Sequence, residues 1–84
     1  SAAFRNGAMD GIGSIIARFP QRELEIWQRY IRDEQFRNIC SDFEEMTAAL
    51  HQFFEGDPRI EEYKNFLGEL EAEVLTHLDR PILD

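Results

Sequence analysis

The chain reads as an all-α protein: short N-terminal helices followed by a long antiparallel helical hairpin. Two observations predict this. Phe36, Ile39, Phe43, Met46, Leu50 and Phe53 step by three and four residues, and Ile60, Tyr63, Leu67, Leu70 and Val74 resume the rhythm. Such steps hold apolar side chains on one narrow stripe of a helix, as in a short coiled coil. Between the stripes stands Gly56-Asp57-Pro58. The glycine suits a left-handed helix end, the aspartate caps the next helix, and the proline fits its first turn. Two stripes joined by so short a turn predict antiparallel neighbours. The register sets Phe43 opposite Leu70, Leu50 opposite Tyr63, and Phe36 near His77.

Eighty-four residues hold one domain at most. Residues 10–78 form it, with the hairpin at 34–78, a flexible stretch at 1–9 and a tail at 79–84. A composition 43% hydrophobic and 31% charged suits a soluble helical protein and not a disordered one. A chain this short buries a modest share of its surface, so packing with a copy or a partner is a natural source of stability. The net charge of −8 makes nucleic acid and anionic membranes poor partners. Cys40, the lone cysteine, cannot form an internal disulfide, and nothing points to an oxidising compartment. No stretch approaches the ~20 apolar residues of a membrane span. Ile15-Ile16-Ala17 is too short for a signal-peptide core. A cytoplasmic location is the expectation. Met9 is a candidate native start, and a piece of a longer chain fits equally well.

In the N-terminal arm, Asp10 is placed to cap a short helix. Ile12, Ile15, Ile16 and Phe19 share one face of it. Gly11 and Gly13 weaken that helix by about 1 kcal/mol each relative to alanine, so it must dock on the hairpin or on another chain. Phe19-Pro20 breaks the pattern. A second helix is predicted from about Pro20 to Arg32, with Leu24, Trp27 and Ile31 as its buried stripe and Ile26 and Tyr30 as a partly separate one. Glu25 and Arg29 form a favourable i, i+4 pair on it. Asp33 is a good cap for a third helix over residues 34–55; the alternative is one continuous helix with Asp33 paired to Arg37. The fourth helix is predicted to reach about Leu78, before Pro81. Gly68 marks either a close helix approach or a tolerated surface position.

Charge shifts along the chain. Residues 1–33 carry five arginines against four acids, residues 34–56 one against five, and residues 57–84 three bases against eight. A mildly basic arm therefore faces an acidic hairpin, within one chain or between two. Arg18, Arg22, Arg29 and Arg32 are the basic cluster, and ion pairing with the hairpin is the favoured use for them over a phosphate or RNA contact.

No catalytic, metal or cofactor site is predicted. The metal-ligand types outside the acids are Cys40, His51 and His77. In the hairpin register His51 and His77 stand roughly 20 Å apart, and Cys40 lies roughly 16 Å from His51. Only Cys40 and His77 approach each other, and two ligands fall short of a site. Glu73 and His77 lack the Glu-x-x-His spacing of carboxylate-bridged metal bundles. Cys40 beside an apolar stripe reads as a structural thiol. Ser14 and Ser41 lack a nucleophile elbow, and Gly11-x-Gly13 has neither the strand nor the lysine of a phosphate loop. Glu44-Glu45 and Glu61-Glu62 read as solvated helix faces.

Phe19-Pro20 with Arg22-Glu23-Leu24, then Asp33 with Phe36, the glycine-containing turn before Tyr63, Leu67, Leu70 and Glu73-Val74-Leu75 together resemble the small bacterial helical-hairpin proteins of the YdcH-like group. The likeness spans roughly sixty residues, and its motif is an amphipathic hairpin. The turn here is shorter and carries a proline, and the last helix has fewer lysines. The resemblance implies a hairpin that self-associates and transfers no catalytic residue. The expected function is a small non-enzymatic protein–protein interaction module, with itself (a homodimer) or another protein as partner. Ile12, Ile16, Phe19, Ile26, Trp27 and Tyr30 are the expected interaction residues. The alternatives are an accessory subunit of a larger enzyme, or a small-molecule or lipid binder with a pocket between the short helices and the hairpin.

Overall fold

The computed structural model describes residues 12–81. Asp10 and the stretch expected to be flexible, residues 1–9, lie outside them. The described residues form four helices and no strand: α1 Gly13–Arg18, α2 Glu23–Arg32, α3 Glu34–Leu50 and α4 Arg59–Asp79. A 3-10 turn, Pro20–Arg22, leads into α2.

The short helix α1 has no cap of its own. Its first turn is satisfied across the fold by Glu44 of α3. Ser14 Oγ donates to one carboxylate oxygen (2.8 Å) and the Ser14 N–H to the other (3.3 Å). A carboxylate at a helix N-terminus is favoured by the exposed N–H groups and the dipole. Docking also buries Ile12 and Ile15 completely, which is what holds a six-residue, glycine-bearing helix in place.

α2 starts after the 3-10 turn because Phe19, preceding Pro20, leaves the helical region (φ −128°, ψ 63°). It ends at Asp33, whose extended backbone separates it from α3. Asp33 Oδ1 accepts the Phe36 N–H (3.1 Å), capping α3. Arg37 does not pair with Asp33. Its Nη1 donates to the carbonyls of Tyr30 (2.7 Å) and Ile31 (3.2 Å), covering the orphan end of α2. Two sequence expectations for α2 are corrected. Arg29 turns inward to Asp33 (3.6 Å), while Glu25 pairs with Arg22 (2.8 Å) instead. The buried stripe runs through Ile26 and Arg29, leaving Leu24 and Ile31 71% and 70% exposed.

α3 stops at Leu50, five residues short of its predicted end. The His51, Gln52 and Phe53 N–H groups fall back on Thr47, Ala49 and Leu50 carbonyls in tightening turns. Unwinding there lets the Phe53 ring meet Tyr63 edge-on (4.9 Å, 85°), with the Arg59 guanidinium over it (4.4 Å). Gly56 takes the positive φ of +87° that the reversal requires. Asp57 Oδ1 accepts the Arg59 N–H (2.9 Å) one residue before Pro58, opening α4. α3 and α4 then pack along each other, with Phe36 against His77 (ring centroids 5.9 Å) at the end remote from Phe53 and Tyr63.

The core lies where α1, α2 and the far half of the α3–α4 pair converge. It comprises Ile12, Ile15, Ile26, Phe36, Ile39, Cys40, Phe43, Val74 and Leu78.

Candidate functional site

Three features carry chemistry or contact surface. The first is a buried polar cluster at the junction of α2, α3 and α4. Asp33 Oδ2 lies 3.3 Å from His77 Nδ1 and 3.6 Å from Arg29 Nη1. Arg80 Nη2 lies 2.8 and 3.1 Å from the two His77 ring nitrogens, and Arg29 Nη2 donates to the Arg80 carbonyl. Burial raises the Asp33 pKa, but the Phe36 N–H, then His77 and Arg29, outweigh it and hold the carboxyl below its ordinary value. Arg29 and His77 are buried. Asp33 caps α3 and Arg29 holds the Arg80 carbonyl just past α4, with Arg29 Nε buried and unpartnered, so the chemistry of the cluster is that of a clasp. The arm is further tied to α4 by Arg18–Glu71 (2.8 Å) and Arg22–Asp79 (3.0 Å). Arg18, Arg22 and Arg29 of the basic cluster thus meet acids of their own chain.

The second feature is the outer face of α2. Leu24 and Ile31 stand seven residues apart on it, with half-buried Trp27 beside them. Trp27 is braced edge-on by Tyr30 (6.1 Å, 75°). Of the residues expected to make an interaction surface, Ile12 and Ile26 are fully buried in this chain's own core. Ile16, Phe19, Trp27 and Tyr30 are half-buried against that core. The arm satisfies these positions by folding back, and its outward apolar groups are others.

The third feature is a groove of about 550 Å³ on the flank of the α3–α4 pair away from α1. Its floor is Met46, Leu70 and Phe66, the last 47% exposed. Its rim is Asp42, Glu45, Glu69 and Glu73. Nothing in the sequence reading selected it. One signal was there: Phe66 falls off the Ile60–Tyr63–Leu67–Leu70 stripe, and an aromatic off the stripe faces outward.

Cys40 is fully buried, and burial pushes its thiol up to about 12. Among the described residues no three His, Cys, Asp or Glu side chains converge as metal ligands. No helix among them is long and apolar enough to cross a membrane. No family model matches the chain, and comparison with curated proteins and with solved structures returned no match.

Proposed function

We propose that the chain is a small, non-enzymatic helical module of the cytoplasm that works by protein–protein interaction, self-association included. In this reading α3 and α4 act as a long antiparallel hairpin that presents α2. The observation that carries it is the outward stripe of α2, where Leu24 and Ile31 are 71% and 70% exposed beside Trp27. Acids occupy the first turn of α2 (Glu23, Glu25) and arginines its last (Arg29, Arg32). Two copies related by a two-fold axis pack α2 against α2 antiparallel, with the helix dipoles opposed. Covering the two exposed side chains of each copy contributes about 1–2 kcal/mol apiece. Association costs at least about 4 kcal/mol. The dimer is therefore weak and forms only at high protein concentration.

Sedimentation equilibrium over a dilution series tests this. A dimer at millimolar concentration that Leu24→Asp with Ile31→Asp converts to monomer is the expected result. Both positions are exposed, so the variant keeps its fold. A monomer throughout, or a dimer indifferent to both substitutions, overturns it.

A second reading, a small-molecule binder, draws on a depression of about 420 Å³ between α1 and α3, lined by Ser14, Phe43 and Thr47 among others. Thr47 Oγ1 is buried there without a hydrogen-bond partner. Ala17, Arg18 and His51 on its edge are exposed, so it is an open dish that covers little of any ligand.

A further inference from the structure

Acids of α3 and α4 are divided by side. Those facing the arm are engaged: Glu44 with Ser14, Glu71 with Arg18, Asp79 with Arg22. On the opposite flank Asp42, Glu45, Glu69 and Glu73 rim the groove, and Glu62 continues it in an adjoining depression beside Phe66 and Asn65. None of these five has a cationic partner among the described residues. Between them lies an apolar floor with Phe66 half out in solvent. We infer that this groove docks a cationic amphipathic helix of a partner protein, its apolar face on Met46, Phe66 and Leu70 and its lysines or arginines on the acidic rims.

Charge selects the occupant. A second copy seated groove to groove brings eight carboxylates together, which like-charge repulsion opposes. Residues 1–11 carry one arginine and one aspartate and so offer no net positive charge. A helix with bases on both flanks of an apolar stripe answers both rims at once. Its length follows from α4: Glu62 and Glu73 stand about 16 Å apart along the axis, three turns of a docked helix. The apolar floor sets affinity through buried area, and the rims set orientation and the rate of encounter. The groove and the outer face of α2 are separate surfaces, so this docking stands whether or not the chain self-associates.

The probe is a fluorescein-labelled helical peptide of about fourteen residues, with leucines every three or four positions and lysines on both flanks. Anisotropy titration of the full chain should give saturable binding that weakens as salt rises. Phe66→Ala should weaken it ~tenfold, as for a half-exposed aromatic anchor. Glu69→Gln with Glu73→Gln should do the same. Glu34→Gln with Glu55→Gln removes the same charge elsewhere on the surface and should leave affinity within ~twofold, since exposed charges distant from a site are screened. All these positions are exposed, and circular dichroism checks that each variant is folded. Equal binding of a scrambled peptide of identical composition overturns the inference. So does undiminished binding by Phe66→Ala, an equal loss in the distant double variant, or no saturable binding.

Discussion

Asp33 is the residue on which most local structure depends. One carboxylate oxygen caps α3, and the other meets His77 and Arg29. Asp33→Ala should destabilise by ~2–4 kcal/mol, a lost cap plus the buried Arg29 and His77 left without their acceptor. Asp33→Asn keeps a capping oxygen and should cost about half as much; chemical denaturation of both variants measures the difference. The pH dependence follows from the carboxyl lying below its ordinary 3.8. Below that value the unfolded chain binds more protons than the folded one, so stability falls as pH drops through the folded pKa and is fully present above about pH 4 to 5. Asp33→Asn should flatten the acid limb of a stability–pH profile and leave its neutral part parallel to wild type. A profile of unchanged acid slope would count against the clasp. Cys40 makes a complementary probe. Fully buried and raised to about 12, its thiol should react with a disulfide reagent only through unfolding, at a rate that rises with denaturant.

Among the elements, the two helical ends near Gly56 and the open stretch near Gly68 separate two roles for glycine. Gly56 sits at φ +87°, where a side chain is strained, so Gly56→Ala should destabilise by ~1 kcal/mol. Gly68 lies inside α4 with nothing within 4 Å of an added Cβ. Of its two sequence readings, the tolerated surface glycine is the one that holds. Gly68→Ala should stabilise by ~0.5–1 kcal/mol through helix propensity alone, read as a higher midpoint in thermal melts. A loss of stability there would mean that α4 meets a neighbour at that position. α1 shows the converse case of an element with poor intrinsic propensity. Its order comes from Ile12, Ile15 and the Glu44 carboxylate, all supplied by docking.

For the whole molecule, the question is what holds the basic arm on the acidic α3–α4 pair. Arg18 and Arg22 make the visible links, yet Arg18 is more than half exposed and surface ion pairs contribute little after side-chain entropy and screening. Burial of Ile12, Ile15 and Ile26 is the larger effect. Ile15→Ala should therefore cost ~2–5 kcal/mol, while Arg18→Gln with Arg22→Gln should shift the denaturation midpoint only slightly. The reverse order would make the arm an electrostatic attachment. Phe36→Ala, at the junction of three helices, should be the most damaging single truncation, at ~3–5 kcal/mol. Arm docking also bears on association. With Ile12 and Ile26 taken inward, the arm keeps only the narrow Leu24–Ile31 stripe as an exposed apolar surface, which is why any self-association through it is expected to be weak.

The all-helical class was legible in the sequence by itself, because steps of three and four and the Gly56-Asp57-Pro58 stop-and-start signal are local physics. The cap at Asp33, the break at Phe19-Pro20 and the docking need of a glycine-bearing first helix were legible for the same reason. Tertiary structure alone decided which side of α2 faces in. Two apolar stripes about 100° apart competed, and Ile26 won over Leu24 and Ile31 because the same face carries Arg29 to Asp33 and the Arg80 carbonyl. It also ended α3 early, since an edge-on contact between Phe53 and Tyr63 offsets the helical hydrogen bonds given up at residues 52–53. The acidic groove belongs to neither helix. Asp42 and Glu45 on α3 and Glu69 and Glu73 on α4 read singly as solvated charges, and they become one rim only when the two helices lie side by side.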